Sequence, residues 1–471
     1  MKRTEKFYLL VLLLVAFFLR AYKISDNFIF SGEFGTELLY VRDSLFSGRL
    51  PLIGLPTSHT WISYGPLYYW LMMPLVKFFG FEPLLGAWVG IVVGTSAVPI
   101  NYFFIKKIFN DKIALISSAA VAISPIWIWF SKMARLYIFT WIIFYPFLFF
   151  LWELWKGKVK NIFWLGLTWG LFFNFHFSPI LLIPALGLAL FLKRKILKVK
   201  HYLMIGVGAV LANLPALIYD SQRGFSMLRS FALWIPYRIA GFLGFYPKNN
   251  PTSESLSGSL AVINEFFGKI LIGPENFWIL GTIIFVVSAI YFVKKFPNRI
   301  LRDFGLFIII LSTLSVLVGV FVHGAPPIHY FLPLFPIPPL LFGILVERFW
   351  NKRTFKVVMA IAFFLIFIVN YKFFFKATLT PDFVPYKLQR EIAEFIAIDA
   401  NGESFKLRRV GPYDHFSENY SQNYRYLLWL FGNEPVGSGK ITYTIYEDTT
   451  KLPVKGRVSW FSKIAVLKED K

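Results

Sequence analysis

The chain has 471 residues, 56% of them hydrophobic and 20% aromatic, with a mean hydropathy of +0.59. Only 16% are charged, and their balance is +23; an ordinary soluble domain carries about a quarter charged residues, so a soluble fold is excluded. The absence of cysteine removes disulfide frameworks, zinc–cysteine sites and thiol catalysis, and the basic excess lies in short loops between apolar runs, so no nucleic-acid partner is expected.

The N-terminus, Met1-Lys2-Arg3-Thr4-Glu5-Lys6, is basic, and Phe7 to Phe18 is apolar. A signal peptide has that shape, but no small-residue cleavage site follows, so the run over 7–22 reads as an uncleaved first span with a cytoplasmic N-terminus. Further apolar runs occupy 83–105, 112–130, 137–154, 161–175, 178–193, 202–220, 276–293, 304–322, 330–347 and 355–374. They approach or reach the roughly 20 residues that cross a bilayer, and they are continuous rather than alternating, which excludes a barrel. Basic loops at 106–107, 156–160, 193–200, 294–302 and 348–356 should all face the cytoplasm. They do so only if the run 66–80 does not cross. It is flanked and filled by Tyr64, Tyr68, Tyr69 and Trp70, which suit a helix lying in the outer interface.

The predicted fold class is therefore an all-α polytopic membrane protein of about eleven transmembrane helices, with interfacial helices outside after the first span and a small C-terminal α/β domain. Residues 1–375 would form the membrane domain. Within it, 23–82 is a first external loop and 221–275 a second, whose stretch 231–246, with Pro236 and Arg238, reads as another interfacial helix. Residues 376–471 would form the extracytoplasmic domain. Its pattern predicts helices over Tyr386–Ile398 and Ser417–Phe431 and strands over Phe405–Val410, Lys440–Tyr446 and Val458–Leu467. The polar run Asn249–Ser259 belongs to the second loop. No internal repeat is evident, which weighs against a transporter of duplicated halves.

Acids are costly in lipid, so those at the membrane surface mark chemistry. Glu33 and Glu37, in Ser31-Gly32-Glu33-Phe34-Gly35-Thr36-Glu37, follow the first span directly. On a helix they would share a face; Gly32 and Gly35 argue instead for a tight turn. The plain alternative is two solvated acids paired with an arginine such as Arg42, with Asp43 a surface residue. Pro56-Thr57-Ser58 and Tyr64 to Tyr69 read as a turn and aromatic anchor that could also pack on a sugar ring. Ser131-Lys132-Met133-Ala134-Arg135-Leu136-Tyr137 places two cations on the external side, against the charge trend. A lipid-phosphate headgroup would explain Lys132 and Arg135, as would snorkelling. His176 interrupts a hydrophobic hairpin at the boundary. Asp220 and Arg223 end a span and could simply pair with each other. His323 and His329 flank Gly324-Ala325-Pro326-Pro327-Ile328, and His59 could join them in space. With Glu33 these offer ligands for a divalent cation, although nothing in the spacing requires one.

These features, in order, resemble the GT-C superfamily of membrane glycosyltransferases, in the branch of protein O-mannosyltransferases, lipid A aminoarabinose transferases and their bacterial and archaeal relatives. Phe30 to Glu37 is similar to that family's first acidic motif. Leu52 to Ser58 and Tyr64 to Tyr69 resemble the segment after it. Ile123-Ser124-Pro125 leading into Ser131 to Tyr137 resembles its Ser-Arg-x-x-Arg-x-Tyr pattern, and His329-Tyr330-Phe331-Leu332-Pro333-Leu334 its late Arg-Tyr-x-x-Pro pattern. The chain departs from the family in having glutamates for both aspartates, Lys132 for an arginine and His329 for another.

The resemblance implies a polyprenyl-phosphate sugar donor, used with inversion at the external face of the cell membrane, and an acceptor glycan, lipid or protein. The leaving phosphate needs positive charge, from Arg135, Lys132, Arg223 or a metal, and the acceptor hydroxyl needs a base. Glu33 is the first choice for that base and Glu37 the second. His176, His329, His59, Asp220, Tyr137, Tyr64 and Tyr330 are further substrate or metal candidates. The competing reading is a flippase or transporter of lipid-linked sugar, which should carry charge near the bilayer midplane rather than at one face. A third is a receptor or assembly scaffold.

Overall fold

The computed structural model describes residues 3–57, 59–242, 245, 256–295, 298–323, 327–350, 353–371, 375, 384–411, 421–453 and 456–470. Helices run in chain order as α1 Arg3–Ala21, α2 Ile24–Asn27, α3 Gly32–Ser47, α4 Leu67–Phe79, α5 Leu84–Ile108, α6 Asp111–Ile123, α7 Pro125–Ser131, α8 Phe139–Trp155, α9 Ile162–Phe172 and α10 Ile183–Leu192. They continue as α11 Val199–Ala212, α12 Leu214–Ser221, α13 Ser226–Phe242, α14 Leu256–Lys269, α15 Trp278–Lys295, α16 Arg299–His323, α17 Ile337–Phe349 and α18 Arg353–Val369. The C-terminal part adds α19 Tyr386–Ala400, α20 Gln422–Leu430 and strands β1 Phe405–Val410, β2 Ile441–Tyr446, β3 Arg457–Phe461 and β4 Ile464–Asp470.

Among the described residues, four segments are long and apolar enough to cross a bilayer: Leu84–Ile108, Leu136–Trp155, Glu275–Phe292 and Arg299–Gly319. Three bent pairs raise this to seven if each is one span: α6 with α7, α11 with α12, and Ile328–Leu334 with Ile337–Arg348. The other four expected runs form helices that are shorter or carry more charge. Helix α4 has 13 residues, or about 20 Å of rise, well short of the ~30 Å hydrocarbon core.

The break between α6 and α7 bends by 57°. Pro125 has no N–H for the carbonyl of Val121, one turn earlier. A bare carbonyl in lipid is costly, and Arg20 of α1 answers it. Its guanidinium is fully buried and donates to Val121 O at 3.2 Å, Ala122 O at 3.0 Å and Ala16 O at 3.0 Å.

Helix α5 carries three glycines spaced four apart, Gly86 facing α3 and Gly90 and Gly94 facing Ser131 at the end of α7. A Cβ on Gly86 would strike the Phe34 ring, one on Gly90 would lie 2.2 Å from Ser131 O, and one on Gly94 would meet Ser131 Oγ. Small residues at this spacing let helices touch backbone to backbone. The Gly90→Ala variant should therefore lower thermal stability in detergent by about 1–3 kcal/mol, the usual cost of overpacking. An unchanged unfolding midpoint would mean that α5 does not brace the Ser131 loop.

One expectation is corrected at the acidic motif. Glu33 and Glu37 lie on helix α3, not in a tight turn. Ser31 caps it, its Oγ accepting from Phe34 N at 3.3 Å. Gly35 is there for close packing: its Cβ would lie 2.5 Å from Asn423 N.

In the C-terminal sheet the order is β1-β2-β4-β3. β1 and β2 are parallel, with Phe405 opposite Ile441, and α20 lies in the crossover between them. The single strand expected over Val458–Leu467 is two strands, an antiparallel hairpin turning at Ser462, whose φ of 56° is left-handed. Only the polar pair Ser462-Lys463 interrupts a run otherwise rich in strand formers, a turn signal too short to separate two strands by sequence. The first part of the helix expected over Ser417–Phe431 lies outside the described residues, as do Ser58, Gly324 to Pro326 and much of Asn249–Ser259.

Candidate active site

Successive helical residues turn by about 100°, so Glu33 and Glu37 of α3 sit about 40° apart on one face. That face meets Arg135, which follows Ala134, a residue in the left-handed region at φ 54°. Arg135 Nη1 lies 2.5 Å from Glu33 Oε2, and Nε lies 3.8 Å from Glu37 Oε1. The two acids differ in exposure: the Glu33 side chain is 63% exposed and that of Glu37 is 3%. Neither pairs with Arg42, which binds Asp43 at 2.7 Å and Glu434 at 2.9 Å.

Burial pushes the Glu37 carboxyl up from 4.5 to about 7, and Glu33 adds to this against Arg135 and Tyr68. For Arg135, burial opposes the charge, but the two carboxylates outweigh it and hold the guanidinium protonated above its ordinary value. Because the Glu37 value is raised, its contribution to stability is full below pH 4.5 and is lost as pH climbs towards 7. If ionised Glu37 holds Arg135 in place, the turnover rate should instead rise through about pH 7. Glu37→Gln should flatten that limb of the pH–rate profile; a limb that persists in the variant would assign it to another group.

The walls are aromatic. Tyr68 OH donates to Ala134 O at 3.2 Å, fixing the loop that carries Arg135. Tyr137 lies under the guanidinium, 5.4 Å from its ring centre. The His176 ring stacks with Tyr64 at 6.2 Å and meets Tyr137 at 5.9 Å, His329 at 6.1 Å and Tyr330 at 6.3 Å. Ser178 N donates to His176 Nδ1 at 3.0 Å, so the neutral ring carries its proton on Nε2. Burial, then His329 and Arg135, depress it to about 3. Burial first also raises the Tyr64 hydroxyl to about 12, so it stays a hydrogen-bond donor.

Thus Glu33, Glu37, Arg135, Tyr137, Tyr64, His176, His329 and Tyr330 come together. The other candidates have different surroundings. Lys132 is buried on the Arg20 side, where burial and then Arg20 lower its ammonium to about 8. Asp220 does not pair with the Arg223 side chain. It accepts from Met227 N at 2.8 Å and Leu228 N at 2.9 Å, capping α13, while Arg223 lies 3.7 Å over the Tyr219 ring. His59 stacks with Trp61 and packs against Trp234. Among the described residues no three His, Asp or Glu side chains converge as ligands. The Arg135 cation lies against both carboxylates.

Two contributors are absent from the sequence-based candidates. Tyr68 stood only in the aromatic anchor, and its period along α4 would have shown it facing inward. Arg20 was visible as a lone cation in an apolar run, a signal of intramembrane function or support.

The dolichyl-phosphate-mannose-protein mannosyltransferase family pattern matches residues 63–219, which hold Arg135 and His176. In structure the chain is similar to ArnT from Cupriavidus metallidurans, with 13% identity over 98% of this chain and 97% of that one. The TM-score is 0.59 for the apo state and 0.63 for the state bound to undecaprenyl phosphate. It is also similar to the oligosaccharyltransferase AglB from Archaeoglobus fulgidus in complex with an inhibitory peptide and a dolichol-phosphate: TM-score 0.52, 12% identity, 94% of this chain and 69% of that one. No curated protein sequence matches the chain. At such identities the structural likeness is one of fold.

Proposed function

We propose, from the family pattern over 63–219 and the likeness of fold, that the chain is a membrane glycosyltransferase of the GT-C superfamily that moves a sugar from a polyprenyl-phosphate donor to an acceptor hydroxyl at the external membrane face, with inversion. The observation that carries this is the Glu33–Arg135–Glu37 arrangement: one reachable carboxylate, one buried carboxylate and a permanent cation between them.

A polyprenyl-phosphate sugar is too apolar to leave the membrane, so its site belongs at the interface. The leaving phosphate is a stable anion and needs no general acid. It needs fixed positive charge in a dry setting, and Arg135 supplies it. As Arg135 turns its donors to the phosphate, Glu33 is released from its ion pair and accepts the acceptor proton. The acceptor oxygen then bonds to the anomeric carbon from the side opposite the phosphate. The carbon–oxygen bond to phosphate breaks with its electron pair, leaving polyprenyl phosphate. Glu37, buried beneath, keeps Arg135 aimed. Tyr64, Tyr137, His176 and Tyr330 offer rings and polar edges to the sugar.

The test is transfer in reconstituted membranes with a panel of labelled polyprenyl-phosphate sugars, reading released polyprenyl phosphate, with chelator in a parallel set. Folded protein that turns over no donor would sink the proposal and return the transporter and scaffold readings. Loss of activity with chelator alone would move the charge that meets the leaving phosphate from Arg135 to a metal ion.

A further inference from the structure

The C-terminal segment grips the acid-bearing helix from behind. On α3, Gly35 stands about 200° from Glu33, on the side opposite both acids. The backbone of Gln422 and Asn423, at the start of α20, lies against Gly35 so closely that a Cβ would come within 2.5 Å. Just before the helix, the carbonyl of Phe30 receives two amides. Gln389 Nε2 of α19 donates to it at 3.0 Å and Asn423 Nδ2 of α20 at 3.4 Å. The two amides are joined, Asn423 Nδ2 donating to Gln389 Oε1 at 2.7 Å, and both side chains are buried. Gln389 Nε2 also donates to Val384 O at 2.9 Å, which ties this network to the entry of α19. The Phe30 ring packs edge-on to Tyr386 and Tyr426 of the same two helices.

Phe30 O precedes the Ser31 cap, so no helical N–H of α3 is aimed at it. A buried carbonyl must find donors, and here they come from residues more than 350 positions away. An amide pair bonded to itself and to one backbone oxygen has a single geometry, unlike a greasy contact that slides.

We infer that Gln389 and Asn423 are positioning residues: they fix the entry of α3 and so the aim of Glu33 and Glu37 on its far face. This rests on the transferase reading for its catalytic consequence, but not for the clamp itself. Without the two amides, α3 keeps its cap and its apolar contacts yet loses the bonds that set its depth. A misplacement near 1 Å at a reacting group costs up to about a hundredfold in rate.

The experiment uses the full chain with Asn423→Leu and, separately, Gln389→Met. It has two readouts: sugar transfer, and backbone amide exchange by mass spectrometry. The expected result is kcat lower by about tenfold to a hundredfold with the donor KM within about twofold. Exchange should quicken in 28–40 and stay unchanged in 392–400 and 426–430. Unchanged kcat and unchanged exchange in 28–40 would overturn the inference, as would a rise in KM alone. If Asn423→Leu loosens the whole C-terminal segment, Gln389→Met decides by the same criteria. If wild type turns over no donor, the transferase reading falls, and exchange in 28–40 still reports whether the clamp holds α3.

Discussion

Arg135→Gln is expected to lower kcat by about a hundredfold to a thousandfold, the usual cost of removing one charge-stabilising donor from a dry site. The physical reason is that Arg135 is the cation held against both carboxylates, beside the Tyr64–His176 ring cluster that the proposal gives to the sugar. A glutamine keeps some hydrogen bonding but no charge for the departing phosphate. The same variant leaves Glu37 buried without its counter-charge. Its carboxyl, already raised to about 7, should then rise further and stay protonated at neutral pH. The protein should therefore still fold, with a stability loss of about 1–3 kcal/mol that grows at alkaline pH. Arg135→Lys should recover folding fully and activity only in part, because an ammonium lacks the two-pronged geometry for phosphate. Steady-state rates and thermal unfolding at two pH values check this. Near-normal turnover in Arg135→Gln would remove Arg135 from the site.

Glu33→Gln should reduce turnover by about a hundredfold to ten-thousandfold, the range of general-base contributions. Its effect on stability should be small, because the side chain is 63% exposed and exposed ion pairs contribute little. Binding of polyprenyl phosphate should hold or tighten, since Arg135 no longer has to leave a carboxylate to meet the phosphate. That opposite movement of rate and binding is the signature of the proposed exchange. Equal activity in variant and wild type would move the base to Glu37. Weaker lipid-phosphate binding would mean that Glu33 organises the donor site instead.

Much of the candidate site was legible because its residues stand out against lipid. Glu33, Glu37, Arg135 and His176 are charged or polar breaks between apolar runs, and such residues rarely sit there without a task. The shape around the acids was harder. Gly32 and Gly35 look like turn residues, and a glycine chosen for close packing is written with the same letter as one chosen for a left-handed turn. Only the backbone of Gln422 and Asn423 reveals which use applies. The pair expected between Asp220 and Arg223 failed for a similar reason: a carboxylate at a helix end has backbone N–H groups in reach that no charge pattern displays. In the C-terminal segment, Phe405–Val410 and Tyr386 onward declare themselves by local period. The hairpin within 457–470 does not, because only the two-residue break Ser462-Lys463 marks the reversal. The bonds of Gln389 and Asn423 to a distant carbonyl leave no local trace at all.

The reach of Arg20 into the bend of α6 and α7 bears on how the chain assembles during insertion. Alone, α1 can let Arg20, in its last turn, rise to the headgroups. The α6–α7 segment has no such recourse: until Arg20 arrives, the carbonyls of Val121 and Ala122 lie bare at a proline break. The first helix therefore acts as a receptacle that the later segment must find before it settles. A chain translated without its first helix would leave that segment searching for another donor, making it a candidate for quality-control degradation rather than a slightly weakened enzyme.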